Sequence, residues 1–429
     1  MRVHYHTFGC KANQYDTERM RQELEARGTA TTQDHAQADV CVVNTCTVTN
    51  QADAEARRFV RRLRRESPHA RIVVAGCSAA LRAPYYGAME EVEEVVPGHD
   101  PVAVAQAVNH ALPNLVQLGI RRSLDRLDVE PVGGEILTRR VGATRGWLKI
   151  QDGCDRKCSF CATRLARGVS RSREPGQVMA EARTLARCHP ELVLTGIHIG
   201  HYGRDLDPHT TLAALLEQLL ATVPDVRFRL GSIEASEIDN PLLDLLATSG
   251  HRIAPHLHMP LQSGSDSVLR GMSRWHTREA YRARALEIAG RVTPLGMGAD
   301  VITGFPGETE DDHAQTRALI EELPFTYLHV FPFSPRDGTT AAAMPGPVPQ
   351  RIAAERSREL RALAQTRGHE YRESRVGGRA VVVLEGSAGS ALTEDYLRVR
   401  VVGDGQPPQD TLHPAVLEGN GDDLYARVE

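Results

Sequence analysis

Three cysteines stand at Cys154-x3-Cys158-x2-Cys161, inside the stretch WLKIQDGCDRKCSFCATRLARGVSRSR that runs from Trp147 to Arg173. Three thiolates in one short loop can hold three irons of a cubane 4Fe-4S cluster, which leaves the fourth iron open to a substrate. A zinc loop is the competing reading, but zinc arms usually come in pairs and no second arm follows. Three further cysteines are far apart in sequence yet share a context: Phe8-Gly9-Cys10, Asn44-Thr45-Cys46 and Ala75-Gly76-Cys77. Each falls just past an apolar run that reads as a strand, so the three could converge and hold a second 4Fe-4S cluster. For one cysteine alone, apolar filling of a strand end would be the better explanation. Three at equivalent positions point to ligands, and the glycines beside Cys10 and Cys77 allow backbone to approach a bulky cluster. Cys41, within Val40-Cys41-Val42-Val43, reads as core packing, and Cys188 is given no role.

The elements that must position these residues alternate strand and helix, which places the chain in the α/β class. Over residues 1–112 strands from Val3, Asp39 and Arg71 alternate with helices from Gln14 and Ala52, predicting an open parallel α/β sheet domain. The cysteines then sit along the sheet edge where such sheets bind ligands. Residues 113–143, with Pro113, Pro131 and Gly133-Gly134, read as a linker. Residues 144–370 carry six strands, beginning near Trp147, Leu192, Val226, His256, Met297 and Tyr327, and fit a partial TIM-like (βα)6 barrel. Small or polar residues at its strand ends, Gly196, Gln262, Ser263, Gly264 and Gly304, are candidates for contact with a nucleotide-like cofactor; tight turns would explain each alone. Residues 371–429 read as a small antiparallel β-barrel.

Charge and composition narrow the partners. The 429 residues carry a net charge of −4, so any RNA contact must come from local patches. Arg57, Arg61, Arg64 and Arg65 share a broad helix face, and Arg167, Arg171 and Arg173 follow the Cys154 loop; both groups could meet phosphates, with solvated or ion-paired arginines as the plain alternative. The terminal segment has six arginines against ten acidic residues, awkward for an RNA module. Eight cysteines without a secretory signal suggest a reducing, cytoplasmic setting and metal ligation, and no apolar run approaches a membrane span.

Several segments together resemble the methylthiotransferase family of radical S-adenosylmethionine enzymes over essentially the whole chain: GCKANQYDTE from Gly9, NTCTVT from Asn44, AGC from Ala75, ARGVSRSR from Ala166, HLHMPLQSGSD from His256 and DVITGFPGETE from Asp300. The resemblance implies a methylthiotransferase N-terminal domain, a radical S-adenosylmethionine domain and a C-terminal TRAM domain. It implies two 4Fe-4S clusters, with Cys154, Cys158 and Cys161 holding the radical cluster that takes S-adenosyl-L-methionine and Cys10, Cys46 and Cys77 holding one that takes part in sulfur transfer. Gly231-Ser232-Ile233-Glu234 and the run from Leu328 to Arg336 look most like the branch acting on N6-threonylcarbamoyladenosine at position 37 of tRNA, although Ala235 replaces that branch's usual proline. Relatives acting on N6-isopentenyladenosine or on a ribosomal protein aspartate are the alternatives, and a non-catalytic metal-containing RNA-binding protein is the reading of another class. A tRNA substrate, an external electron donor and a sulfur source are the implied partners, with a monomer as the favoured state.

Overall fold

The computed structural model describes residues 1–109, 136–386, 389–403 and 408–429. Most of the expected linker, 113–143, lies outside the described residues. The chain divides into two compact units, one formed by residues 1–137, 151–171 and 334–342 and the other by 138–150, 172–333 and 343–429.

The first unit is built on a parallel sheet ordered Ala30–Thr31, Arg2–Thr7, Val40–Thr45, Arg71–Gly76, Glu94–Val95. Alternation along its central strands splits the core by face. Val40, Val42 and Val73 pack with Met20, Leu24, Val104 and Val108, while Cys41, Val43, Ile72 and Val74 pack with Phe59, Val60, Leu63 and Tyr86. The helices Lys11–Ala26 and Pro101–Val108 therefore cover one face, and Asn50–Glu66 and Cys77–Gly87 the other. Side-chain caps set the helix starts: Thr49 accepts from the Ala52 amide at 3.1 Å, and Asp100, ahead of Pro101, from the Val102 amide. The expected strands and helices appear with ends shifted by up to three residues; the strand expected from Asp39 begins at Val40. The two-residue edge strands Ala30–Thr31 and Glu94–Val95 were not expected, being too short to show any periodicity.

The second unit holds the six expected parallel strands in sequence order, in two sheets: Arg145–Lys149, Glu191–Thr195 and Arg227–Leu230, then His256–His258, Gly296–Thr303 and Tyr327–Pro332. Bridges at Phe228–Ile253 and Ser232–His258 join the two sheets. Among the described residues the first and last strands do not pair, so the barrel is partial. Within this unit the helix after the first barrel strand runs Pro175–Leu185 and opens on a proline, whose fixed φ suits a first helical position.

The terminal segment is a closed barrel ordered Arg379–Leu384, Ser390–Leu392, Arg398–Val402, Leu424–Val428, Leu412–Gly419. It is not wholly antiparallel as expected, because Arg398–Val402 and Leu424–Val428 run parallel. An odd number of strands cannot alternate direction all the way round a closed ring. Ser390–Leu392 and Leu412–Gly419 were not expected, the first being only three residues long and the second interrupted by Pro414. Among the described residues no helix is long and apolar enough to cross a membrane.

Candidate active site

All six singled-out cysteines lie in the first unit. Cys10 is the N-cap of the helix Lys11–Ala26, Cys46 follows the strand Val40–Thr45, and Cys77 opens the helix Cys77–Gly87. The parallel sheet thus delivers the three thiols to its C-terminal edge, where Cys10 and Cys46 both push up the Cys77 thiol and Cys10 that of Cys46. Burial is the largest influence: it takes Cys77 to about 12, against the lowering effect of Arg167, and it raises Cys46 as well. Gly9, at φ +98°, has no room for a side chain, since a Cβ there would stand 2.6 Å from the Cys46 sulfur. Gly76, at φ +97°, turns the chain from strand into the helix that Cys77 begins.

In the second set, Cys154, Cys158 and Cys161 are half-buried. Burial pushes Cys154 to about 12, and Cys161 and Cys158 add to the rise. Their loop is folded tightly: the Cys154 amide donates to the Gly168 carbonyl at 3.1 Å, and a Cβ on Gly153 (φ +69°) would stand 1.8 Å from the Val169 carbonyl oxygen. Burial makes the Cys46, Cys77 and Cys154 thiols resist ionisation unless a metal takes the proton's place, while Cys10 stands exposed. Both sets therefore fit an iron–sulfur cluster held by three thiolates. Cys41 is fully buried in its strand, as expected of core packing, and Cys188 is exposed.

Two family models match the chain: that of the uncharacterized protein family UPF0004 over residues 2–97 and that of the radical SAM superfamily over residues 148–320. A threonylcarbamoyladenosine tRNA methylthiotransferase of Rickettsia prowazekii is 34% identical over 399 residues, covering 92% of this chain and 90% of that protein. Its namesake in Bacillus subtilis is 38% identical over 372 residues, covering 86% and 81%. The chain belongs to the methylthiotransferase family of radical S-adenosylmethionine enzymes. Another relative, a tRNA-2-methylthio-N(6)-dimethylallyladenosine synthase of Staphylococcus haemolyticus, is 31% identical over 395 residues, covering 89% and 75%. The fold is also that of TsrM, a radical S-adenosylmethionine methyltransferase from Kitasatospora setae, at a TM-score of 0.57 and 18% identity over 80% of this chain and 77% of that one.

The enzyme's expected cofactor contacts are placed less simply. Gly264 is not open for close approach to a ligand: a Cβ there would stand 2.6 Å from Thr316 Cα in the helix Glu310–Glu322, and Ser263 is buried 3.2 Å from the Thr316 hydroxyl. A Cβ at Gly304, where φ is +73°, would stand 2.4 Å from Ala353 Cβ in the helix Gln350–Ser374. These residues are small because helices cross them. Gln262, at φ +67°, sits between Asp300 and Ile302 through backbone hydrogen bonds, and half-buried Gly196 follows the strand Glu191–Thr195.

The expected RNA-facing arginines divide. Arg167 and Arg173 are buried and cannot meet phosphate as placed; Arg173 donates to Glu181 and to the Lys149 carbonyl. Arg171 is half-buried. Arg64 is spent on the carbonyls of Pro68, Ala70 and Glu91, and Arg57 lies over the Tyr85 ring. Arg61 and Arg65 remain exposed, joined by Arg58 and Arg62 along a groove of about 550 Å³ that also takes in His6, Phe8 and Phe59.

Sequence reasoning passed over three polar clusters. Asp16, His99 and Asp152 approach one another in the first unit. In the second, His198 and His201 reach Glu237 at 2.8 and 3.1 Å, while His258 and His329 reach Asp300 at 3.1 and 3.2 Å. The His-x-His of HLHMP was the available sign for the last, since alternate residues share a strand face.

Proposed function

We propose that the enzyme inserts a methylthio group at C2 of N6-threonylcarbamoyladenosine at position 37 of tRNA. The observation that carries the chemistry is the gathering of two separate three-thiol sets in one compact unit. Cys154, Cys158 and Cys161 would hold the cluster that takes S-adenosyl-L-methionine, and Cys10, Cys46 and Cys77 a second 4Fe-4S cluster. When bound, these groups supply the electron that turns S-adenosylmethionine into a hydrogen-abstracting reagent, and the sulfur-transfer centre. Such chemistry suits a C–H bond that no side-chain base could deprotonate. The branch is supported by five relatives, all threonylcarbamoyladenosine tRNA methylthiotransferases, at 32–38% identity. Action on the dimethylallyl-bearing nucleoside is the second reading, supported by the Staphylococcus relative.

In this reading residues 1–112 form the methylthiotransferase domain, 144–370 the radical domain and 371–429 the TRAM domain. The chain's own groups bind and position. Gly196 and Gln262, beyond barrel strand ends, are proposed to line the S-adenosylmethionine site. The groove beside the helix Asn50–Glu66 is proposed to take single-stranded RNA: His6, brought to about 4 by burial and so neutral, stacks on Phe59 at 3.8 Å, and exposed arginines flank the rings. Rings for bases and guanidinium groups for phosphates are the usual means of holding a single strand. An electron donor and a sulfur source must come from outside.

Mass spectrometry of tRNA nucleosides tests the reading in cells lacking the gene and in the same cells with it restored. The methylthio form of threonylcarbamoyladenosine should vanish and return. A response confined to the isopentenyl nucleoside would move the branch, and no response in any nucleoside would end the tRNA reading.

A further inference from the structure

We propose that Arg167 is a positioning residue for the second cluster, fastening the Cys77 sulfur to the loop that carries Cys154, Cys158 and Cys161. The proposal rests on the reading of Cys10, Cys46 and Cys77 as cluster ligands. Arg167 ends the short helix Thr163–Arg167 and is 0% exposed, although a buried guanidinium survives only where its charge and donors are met. Its Nε donates to Cys77 Sγ at 3.2 Å. Nη1 donates to both Asp152 oxygens at 3.0 Å, and Nη2 to Asn13 Oδ1 at 2.5 Å and Asp16 Oδ2 at 2.7 Å. Two carboxylates already balance the charge, so the contact with sulfur is not needed for neutrality. It puts a donor on a ligand atom.

Asn13 extends the connection. Its Oδ1 faces both Arg167 and the Cys77 sulfur, 3.4 Å away, while its Nδ2 donates to the carbonyls of Phe8 and Thr45 at 2.8 and 2.9 Å. Those carbonyls belong to the turns that present Cys10 and Cys46. One asparagine and one arginine thus span all three loops of the second set and reach the loop of the first. With iron in place of the Cys77 proton the sulfur would still accept from Arg167, while its own contact with the Asn13 oxygen would have no hydrogen left to share. Hydrogen bonds to cluster sulfurs and nearby positive charge favour the reduced state.

The test uses the full chain with Cys154, Cys158 and Cys161 changed to Ala, reconstituted anaerobically so that iron can sit only at the second site. Iron and sulfide are counted, and the midpoint potential is read by titration followed by electron paramagnetic resonance, for this chain and for Arg167→Lys and Arg167→Gln in it. The expected result is a more negative midpoint in Arg167→Lys, a larger shift in Arg167→Gln, and faster iron loss to a chelator. Unchanged midpoint and iron retention in both variants would overturn the proposal. So would loss of the cooperative thermal transition in both, since Arg167 would then serve the fold alone. If the parent chain holds no iron or sulfide, the two-cluster reading itself fails and takes the proposal with it.

Discussion

At the scale of single residues, the six cysteines make the plainest prediction. Cys10→Ala and Cys154→Ala should each remove about half of the iron of the reconstituted enzyme, as three-thiolate sites that fail separately would. A Cys10→Ala chain with full iron content would leave only one cluster. Gly9→Ala puts the same question through sterics: at φ +98° with Cys46 Sγ 2.6 Å from the added methyl, it should displace Cys46 and empty the second site while sparing the first. Gly28→Ala is the control, because it shares the left-handed backbone, φ +84°, but meets nothing within 4 Å. Iron counts on the two variants separate steric damage to the site from backbone strain. The cysteines were legible in the sequence because few residue types bind iron and their strand-end context repeats. Arg167 was misread as an RNA contact because its partners, Asn13, Asp16 and Cys77, come from distant parts of the chain.

At the scale of elements, the helix Asn50–Glu66 shows how far a charge pattern can be read. Its arginines were visible as a basic face, but the pattern could not tell which of them the fold would use. Arg64 holds the three carbonyls after the helix end, so Arg64→Ala should cost about 1–3 kcal/mol and lower the melting temperature without weakening tRNA binding. Arg58→Glu, Arg61→Glu and Arg65→Glu together should do the reverse, reducing tRNA affinity and flattening its salt dependence by roughly 0.7 per lost phosphate contact. Equal salt slopes in the two proteins would remove the groove from the RNA path. Strand–helix alternation was legible where barrel strands carry apolar runs, as Glu191–Thr195 and Gly296–Thr303 do. The edge strands and Leu412–Gly419 were not, being fixed by pairing partners that local pattern does not report.

At the scale of the whole molecule, the second unit joins its two barrels through buried charge. Glu191 accepts from Arg227 at 2.5 Å and from Arg229 at 2.8 Å, with Arg145 at 3.4 Å. The same arginines reach the terminal barrel: Arg145 to Glu385, Arg227 to the Val381 carbonyl, and Arg229 to the carbonyls of Thr393 and Glu394. The acidity that made the terminal segment awkward as an RNA module is thus partly used in docking it to the starts of barrel strands, the end that serves stability in such folds. Glu191→Gln should cost about 3–5 kcal/mol in a denaturant titration, because it leaves the buried Arg227 and Arg229 short of charge while Arg145 keeps Glu385. Burial alone would push the Glu191 carboxyl up, but Arg229 and Arg227 hold it well below the usual carboxylate range. A depressed carboxyl contributes stability that is full above its unfolded value, about 4.3, and is lost as pH falls further. Thermal melts from pH 7 to pH 3 should show that loss in the parent and a shallower one in Glu191→Gln.

The first unit is assembled from three separate stretches of chain, and the last, residues 334–342, supplies Arg336, which reaches Thr47, Asn50 and Asp53. On the ribosome, Cys10 is therefore made long before the final piece of its own unit. At roughly 5–20 residues per second the wait is on the order of tens of seconds. All six thiols emerge during that time, before the last stretch of their unit exists, so on the two-cluster reading iron delivered early would meet an incomplete site. On that reading cluster loading is expected only after synthesis has passed residue 342, as a step of maturation separate from translation.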